Sequence, residues 1–249
     1  MPLYALIGNP LSHSFSKTYF TKKFKRDGIK DSHYELFPLD AIEAFPGLIE
    51  SWPELKGMNV TIPYKETVMD FLDDIDPDAA EVGAVNTILF RNSKTKGFNT
   101  DVYGFRKSLE GLFRASGKAV PAKALVLGTG GASKAVGYVL KQLAIPFQLV
   151  SRQAGKGHLT YGELTEKVMQ THHLIVNTTP LGMHPKSETC PDVPYEYLEA
   201  KHFLYDLVYN PEKTLFLERG EQAGASICNG LEMLHLQAEK AWDIWTSET

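Results

Sequence analysis

Thr61 and Lys65 are the residues in the first half of the chain whose types and spacing best suit chemistry. They lie in Asn59-Val-Thr-Ile-Pro-Tyr-Lys65, where a strand over 58–62 is predicted to run into a helix opened by Pro63, since proline suits the first helical turn. Ligands gather at strand-to-helix junctions in α/β folds. A lysine in the first turn faces the positive end of the helix dipole, which favours a proton-transferring lysine. An ordinary surface lysine is the alternative interpretation.

A glycine-rich turn in the second half has the spacing of a dinucleotide site. The run Ala124-Leu-Val-Leu predicts a buried parallel strand, and the turn residues that follow it are Gly128, Thr129, Gly130, Gly131 and Ala132. Gly128 permits a sharp turn, and Gly130 lets backbone N–H groups approach a pyrophosphate at the positive end of the next helix. The flanking strand and helix favour dinucleotide binding over an ordinary tight turn.

The end of the following strand, over 146–150, indicates which dinucleotide is bound. NAD-specific units place Asp or Glu there to bind the ribose hydroxyls, whereas this chain has Ser151-Arg152. A guanidinium suits the extra 2′-phosphate of NADP, and Lys156 adds a second positive charge. The first candidate helix after this strand is 163–172, so we expect an abbreviated crossover.

Polar residues at helix entrances and on helix faces leave two interpretations open. Ser14 and Ser16 stand at the entrance of a helix, where they either cap it or bind a small anion. Asp101 has the position of a cap for a helix over 102–113. Gln237 lies on the apolar face of the final helix, where it is either a buried glutamine satisfied by backbone or a side chain reaching into a cleft.

The remaining features of the sequence bound the class of protein. The length of 249 residues, 43% of them hydrophobic, allows one large or two medium domains, and strands alternate with helices as in an α/β fold. A net charge of −4 without a basic tract argues against a nucleic-acid partner. Cys190 and Cys228 have no metal-binding or CxxC spacing, so we expect reduced thiols and no metal. With neither a signal peptide nor a membrane-spanning run predicted, we expect a cytoplasmic protein that does not enter membranes.

Eight stretches, in consistent order over nearly the full length, resemble the shikimate dehydrogenase family. The glycine motif is shared with many enzymes, but the Asn-Val-Thr-x-Pro-x-Lys and Asn-Thr-Asp motifs are far more specific. A strand predicted over 81–90 carries the third stretch. The matching stretches are Ser12-His-Ser14-Phe-Ser16, Asn59-Val-Thr-Ile-Pro-Tyr-Lys65, Gly83-Ala-Val-Asn86-Thr, Asn99-Thr-Asp101, Gly128-Thr-Gly-Gly-Ala132, Asn177-Thr-Thr-Pro-Leu-Gly, Asp206-Leu-Val-Tyr209-Asn-Pro and Gly230-Leu-Glu-Met-Leu-His-Leu-Gln237.

The resemblance implies a fold and a reaction. It implies an N-terminal α/β substrate-binding domain over 1–101, a Rossmann-like NADP-binding domain over 102–230, and a C-terminal helix over 231–249 that returns to the first domain. It also implies the reversible NADPH-dependent reduction of 3-dehydroshikimate to shikimate in aromatic amino-acid biosynthesis. A monomer or a homodimer is expected.

Residue roles follow from the same resemblance. Lys65 and Asp101 are the implied catalytic pair. The implied substrate-binding residues are Ser14, Ser16, Thr61, Asn86, Tyr209 and Gln237. The implied cofactor-binding residues are Gly128, Thr129, Gly130, Gly131, Ala132, Ser151, Arg152, Lys156, Leu207 and Gly230.

Two alternative functions stay open. The first is a quinate/shikimate dehydrogenase that favours NAD, since the chain departs from the family pattern at Thr129, Ser151, Gln153 and in the shortened region after Arg152. The second is a ligand sensor that keeps the fold without catalysis. Loss of Lys65 or Asp101 would have favoured the sensor, but both residues are present.

Overall fold

A computed structural model describes residues 1–11 and 14–247. Ser12 and His13 of the first motif, and the last two residues of the expected C-terminal segment, lie outside the described residues. The chain divides into a first unit, Met1–Thr100 with the residues from Ala238 onward, and a second unit, Asp101–Gln237. The first division falls one residue before the expected boundary, and the second leaves residues 231–237 of the last helix in the second unit.

The first unit is built on a six-stranded mixed sheet with the order β2-β1-β3-β5-β6-β4. All six residues of the central strand β1 are buried, which is typical of a strand covered on both faces. Strands β5 and β6 form a hairpin whose two turn residues, Asn92 and Ser93, both have positive φ, as a tight two-residue hairpin turn requires. The elements are β1 (Leu3–Gly8), α1 (Phe15–Arg26), β2 (His33–Pro38), α2 (Phe45–Ser51), β3 (Leu55–Val60), β4 (Asp74–Ile75), α3 (Pro77–Val82), β5 (Thr87–Arg91) and β6 (Lys94–Phe98).

The segment after β3 does not form the helix predicted from Pro63. Lys65 lies in a turn, and the first helical residues are the 3-10 segment Thr67–Phe71. The Lys65 carbonyl accepts the Val85 N–H at 2.7 Å, while the N–H of Met69, its partner in an α-helix, bonds elsewhere. The prediction of a helix was therefore wrong, and the argument that a helix dipole acts on Lys65 fails with it.

Two further boundaries differ from the predictions. The strand predicted over 81–90 is shorter, because α3 extends to residue 82 and ends at Gly83, whose φ of +70° is the left-handed conformation that favours glycine after a helix. Asp101 is not a cap, because the next helix already begins at Thr100. Its carboxylate lies in the first turn, where it interacts favourably with the helix dipole.

The second unit is built on a parallel sheet with the order β12-β11-β10-β7-β8-β9. Numbered within the unit this is 3-2-1-4-5-6 read from β9, the order of dinucleotide-binding folds, so the predicted α/β class and Rossmann-like arrangement are confirmed. The elements are α4 (Thr100–Ser116), β7 (Ala124–Leu127), α5 (Gly131–Gln142), β8 (Phe147–Ser151), β9 (Leu159–Thr160), α6 (Glu166–Met169), β10 (Leu174–Asn177), β11 (Phe203–Asp206), α7 (Leu215–Gln222), β12 (Ser226–Cys228) and α8 (Leu231–Thr246).

The crossover after β8 is as short as the sequence predicts. Only residues 152–158 join β8 to the two-residue strand β9, and α6 has a single turn. Among residues 1–11 and 14–247, no helix combines the length and the apolar character needed to cross a membrane.

The part of α8 from Ala238 onward is fastened to α1 in the first unit. The Lys23 side chain is 7% exposed, and its ammonium lies 2.6 Å from Glu239 and 3.1 Å from Asp27. The Trp245 ring stacks on the Tyr4 ring with the ring centroids 5.1 Å apart, and its indole N–H donates to the Ile88 carbonyl. The Asp27 and Glu239 side chains are 31% and 40% exposed, so water screens both ion pairs, and the packing of Trp245 adds to what holds α8 against the first unit.

Acid should destabilise the protein through His202, which is wholly buried. Its Nδ1 accepts the Glu199 N–H at 2.9 Å and its Nε2 faces the Met169 carbonyl at 3.0 Å. Burial lowers the pKa of His202 from 6.5, so the folded state favours the neutral ring and stability is lost as pH falls below about 6.5. Urea unfolding should show this loss, with a flatter dependence on pH in His202→Gln. An unchanged slope in that variant would contradict the assignment.

Candidate active site

Thr61, Lys65 and Asn86 are brought together by backbone hydrogen bonds where β3 ends and β5 begins. The Asn86 carbonyl accepts the N–H of Val60 at 2.9 Å, and the Lys65 carbonyl accepts the N–H of Val85. Asn86 is buried, whereas Thr61 and Lys65 are half-buried. The residues on either side of this junction are therefore held in a fixed register.

The amide of Asn86 has a defined orientation. Its Oδ1 accepts the backbone N–H of Thr100 at 2.7 Å and lies 3.1 Å from the Thr87 hydroxyl, which donates to it. A backbone N–H can only donate, so the oxygen of the amide is the atom that faces Thr100. The Nδ2 group lies 3.1 Å from Thr100 Oγ1 and carries two hydrogens. Asn86 is thus arranged to act as a donor toward a ligand oxygen.

Ser14 carries a buried hydroxyl oxygen for which the described residues provide no hydrogen-bond partner. It occupies the N-cap position of α1, yet its side chain makes no cap hydrogen bond. An unsatisfied buried hydroxyl costs about 1–3 kcal/mol. The capping interpretation of Ser14 is therefore wrong in this structure, and the anion-binding interpretation gains support because an anion at the start of α1 would accept this hydroxyl.

Asp101 and Gln237 are brought close by contact between α4 and α8 within the second unit. A Cβ on Gly104 would lie 2.6 Å from the Met233 carbonyl oxygen and 3.2 Å from Gln237 Cβ, so the two helices approach where only glycine fits. Asp101 lies one turn before Gly104 on α4. The Gln237 amide donates to the Leu234 carbonyl at 2.9 Å, which agrees with a glutamine satisfied by backbone. The residue is half-buried, and its reach into a cleft stays a prediction.

The glycine turn has space for a ligand on one side and none on the other. Gly128 has φ of +109°, and a Cβ there would lie 2.8 Å from Thr178 Oγ1. Gly130 and Gly131 have no atom within 4 Å of a Cβ position, and α5 begins without a side-chain cap. Thr129 and Ala132 are exposed beside them. Backbone N–H groups at an open helix start suit a pyrophosphate, so the residues fit a dinucleotide.

Ser151, Arg152 and Lys156 occupy the tight connection between β8 and β9. Ser151 is buried, and its hydroxyl accepts the Gln153 N–H at 3.1 Å, so it shapes the turn. Arg152 and Lys156 are exposed. Pairing of β9 with β8 holds both ends of the turn in place. The two cations therefore stand at the end of the strand where dinucleotide-binding folds recognise the ribose.

Asp206 organises the loop that carries Leu207 and Tyr209. Its buried carboxylate accepts from Asn177 Nδ2 at 2.9 Å, from the Val208 N–H at 3.0 Å and from Thr214 Oγ1 at 2.6 Å. Burial raises the pKa of Asp206 to about 6, although these hydrogen bonds lower it. The carboxylate thus joins the ends of β10 and β11 to the start of α7.

Gly230 packs directly on this loop. A Cβ at Gly230 would lie 2.1 Å from the Leu207 carbonyl oxygen, so no other residue fits without moving the backbone. Leu207 and Tyr209 are half-buried, and burial raises the pKa of Tyr209. The structure therefore places the two residues expected near the nicotinamide, Leu207 and Gly230, in contact.

Sequence reasoning missed the residues that hold the site residues in place. Asn59, Thr100 and Asp206 all lie in the motifs quoted above, but only their neighbours were assigned roles. The available signal was a polar residue in a buried stretch of strand, as with Asn59 after Met58 in β3 and Asp206 after Tyr205 in β11. Among the described residues, no group of three or more His, Cys, Asp or Glu side chains could hold a metal ion.

Comparison with known proteins agrees with these features. A family model described as the shikimate dehydrogenase substrate binding domain matches residues 6–88. A shikimate dehydrogenase (NADP(+)) from Clostridium beijerinckii is 41% identical over 98% of this chain and 92% of its own length. The chain belongs to the shikimate dehydrogenase family. A relative from Methanococcus maripaludis, named shikimate dehydrogenase (NADP(+)), is 34% identical over 99% of this chain and 92% of its own length.

Solved structures of the shikimate dehydrogenase family share the fold. The shikimate 5-dehydrogenase of Thermus thermophilus, solved with NADP(H) and shikimate, is 33% identical with a TM-score of 0.84 and covers 99% of this chain and 94% of its own. Quinate dehydrogenase from Corynebacterium glutamicum, solved with NAD, has a TM-score of 0.86 over 98% and 93% of the two chains, but at 24% identity it shows the fold alone.

The close approach of α4 to α8 predicts opposite effects for two glycines on the same helix. Gly104→Ala should lower the free energy of unfolding by about 1–3 kcal/mol, because the new methyl meets a backbone carbonyl. Gly111→Ala is the matched control. Its Cβ would have neighbours no nearer than 3.8 Å, so alanine should be neutral or stabilise the helix by up to about 1 kcal/mol. Equal effects in urea unfolding would contradict this contact.

Proposed function

We propose that this chain catalyses the reversible NADPH-dependent reduction of 3-dehydroshikimate to shikimate. The observation that carries the proposal is the buried Ser14 hydroxyl, which has no partner among the described residues. The substrate has a carboxylate that would accept a hydrogen bond from this hydroxyl, and a keto group whose reduction needs a proton donor. The motifs that match the family contain both the serines and a lysine that could donate the proton.

The second unit is the proposed NADP-binding domain. The backbone from Gly128 to Ala132 would hold the pyrophosphate, and Arg152 with Lys156 would pair with the 2′-phosphate. Ser151 would bind the ribose side of the same turn, and Leu207 and Gly230 would lie beside the nicotinamide. When bound, NADPH supplies the hydride for the carbonyl carbon.

The first unit is the proposed substrate-binding domain. Ser14 would donate to the carboxylate at the start of α1, where the helix dipole favours an anion, and Ser16 would line the same site. Thr61 and Asn86 would bind the ring hydroxyls. Tyr209 and Gln237, which belong to the second unit, are assigned to the carboxylate and to the ring hydroxyls by the family resemblance alone. Asn86 would donate from its Nδ2 group, because Thr100 and Thr87 engage its oxygen.

Lys65 and Asp101 form the proposed proton-transfer pair. Reduction of a ketone builds negative charge on its oxygen, and this charge is relieved when a proton is delivered as it forms. Lys65 Nζ would donate that proton and would accept it in the reverse reaction. Asp101 would orient the ammonium and accept a hydrogen bond from the substrate hydroxyl.

The alternative functions are less well supported. NAD preference would be favoured by a carboxylate at the end of β8, where this chain has Arg152. A sensor without catalysis would not require Lys65 and Asp101 together. A monomeric or homodimeric state and a cytoplasmic location stay predictions from the sequence.

Removal of the Lys65 ammonium should abolish most turnover. Lys65→Ala should lower kcat by about a hundredfold or more, with a far smaller change in the KM for shikimate, because an acid–base group is lost. Asp101→Asn should behave similarly, since it keeps the shape and loses the charge. The matched control is Lys56→Ala, which removes an exposed lysine of β3. Near-normal kcat in a folded Lys65→Ala enzyme would exclude Lys65 from the proposed mechanism.

Arg152 should set the preference for NADP. A charge-assisted hydrogen bond contributes about 1.5–3 kcal/mol, so Arg152→Ala should raise the KM for NADP roughly ten- to a hundredfold. The KM for NAD should hardly change, because NAD lacks the 2′-phosphate. Lys156→Ala should have a smaller effect, and Lys141→Ala, at an exposed lysine of α5, should have none. An equal rise in the KM for NADP and the KM for NAD in Arg152→Ala would show that Arg152 does not bind the 2′-phosphate.

A further inference from the structure

Tyr34 on β2 connects two parts of the proposed substrate site through buried hydrogen bonds. The residue is 3% exposed, and its ring stacks on Phe20 of α1 at 4.7 Å with an interplanar angle of 10°. Its hydroxyl donates to Asn59 Oδ1 at 2.7 Å. Burial raises the pKa of Tyr34, and a hydrogen bond from Ser16 opposes this rise. The phenol therefore stays protonated at neutral pH and contacts both Ser16 and Asn59.

The hydrogen bonds beyond Asn59 all run in one direction. Because the Asn59 oxygen accepts from Tyr34, its Nδ2 group faces the other way and donates to Thr87 Oγ1 at 3.2 Å and to the Asn86 carbonyl at 3.3 Å. The Thr87 hydroxyl accepts the hydrogen bond from Asn59 and donates its own hydrogen bond to Asn86 Oδ1. The series ends on the Asn86 amide, whose oxygen also accepts the Thr100 N–H.

Every member of this series is inaccessible to water. Tyr34, Asn59, Asn86 and Thr87 are between 0% and 6% exposed. An isolated buried amide can rotate to exchange its oxygen and nitrogen, but here the Tyr34 hydroxyl and the Asn86 carbonyl, which can only accept, both favour the same orientation of Asn59. Without the Tyr34 hydroxyl, Asn59 Oδ1 would lose its buried donor, and Asn59 would be held less firmly against Thr87 and the Asn86 carbonyl.

We propose that Tyr34 is a positioning residue for substrate binding, which acts through Asn59 and Thr87 on Asn86 and directly on Ser16. The proposal rests on the proposed function, because it takes Ser16 and Asn86 to bind shikimate. Tyr34 itself touches no reacting atom. Its hydroxyl holds Asn59 against Thr87 and the Asn86 carbonyl, while the Thr100 N–H fixes the orientation of the Asn86 amide. The same hydroxyl contacts the serine expected to bind the carboxylate, so one phenol serves both ends of the substrate.

Tyr34→Phe tests this role with the loss of one oxygen atom. The stack on Phe20 is kept, and we expect the KM for shikimate to rise about five- to twentyfold, as for one lost buried hydrogen bond. The KM for NADP should change less than about twofold, because the second unit binds the cofactor. A purely structural role would lower the active fraction and leave both KM values unchanged.

Tyr4→Phe is the matched control. Tyr4 lies directly opposite Tyr34 in the register of β1 and β2 and belongs to the same aromatic cluster. The Tyr4→Phe variant loses the same oxygen atom, but Tyr4 is not part of the series of hydrogen bonds, so the KM values for shikimate and NADP should both stay at wild-type level. Thermal unfolding of the two variants should show similar changes, which separates the effect on substrate binding from an effect on stability.

Thr87→Val probes the same series from its other end. If the series acts as a unit, the double variant Tyr34→Phe/Thr87→Val should raise the KM for shikimate no more than the worse single variant. The proposal would be overturned if the two single substitutions raised the KM for shikimate by factors that multiply in the double variant, or if Tyr34→Phe left that KM unchanged. Absence of turnover with shikimate in the wild-type enzyme would instead refute the proposed function, so the two failures are distinguishable.

Discussion

The site depends on one physical constraint, which is that polar side chains buried at strand ends need a partner for each donor and acceptor. A buried polar group without a partner costs more free energy than a typical hydrogen bond returns. In the first unit, Asn86 meets this constraint through Thr100 and Thr87, and the resulting orientation makes it a donor. Ser14 does not meet it among the described residues, which supports the proposal that a ligand oxygen binds there.

The second unit satisfies the constraint with a carboxylate. Asp206 at the end of β11 accepts three hydrogen bonds from three different segments, and this number of donors holds a buried acidic group in place even though burial raises its pKa to about 6. The loop from Leu207 then packs against Gly230 so closely that a side chain would not fit. Apart from the buried Asn86 and Ser151, the groups proposed to bind ligands are exposed or half-buried, while the groups that orient them are buried.

Local patterns in the sequence predicted those features that depend on neighbouring residues. The apolar runs gave the strands, the glycine spacing gave the turn before α5, and the lack of a helical pattern after Arg152 gave the abbreviated crossover. Contacts between distant residues could not be predicted in this way. The apolar spacing after Pro63 suits a helix, but the Lys65 carbonyl bonds to Val85, twenty residues further on.

The same limit applies to the residues that support the site. Tyr34 and Asn59 are 25 residues apart in sequence, so nothing in either segment indicates their hydrogen bond. Gly104 and Gly111 look alike on one helical pattern, yet a Cβ at Gly104 would lie 2.6 Å from a backbone oxygen of α8, whereas one at Gly111 would meet only a side chain at 3.8 Å. Most of the residues proposed to bind ligands could be predicted because they stand at strand or helix ends, whereas the residues that position them depend on tertiary contacts.

The most direct test is a steady-state comparison of the wild-type enzyme with shikimate and quinate, each with NADP and with NAD. Formation of the reduced cofactor should give a kcat/KM for shikimate with NADP at least about a hundredfold above that for quinate with NAD, since recognition of a 2′-phosphate alone can supply that ratio. Equal or faster turnover of quinate with NAD, or no turnover of shikimate with either cofactor, would contradict the assignment of this chain as an NADP-dependent shikimate dehydrogenase.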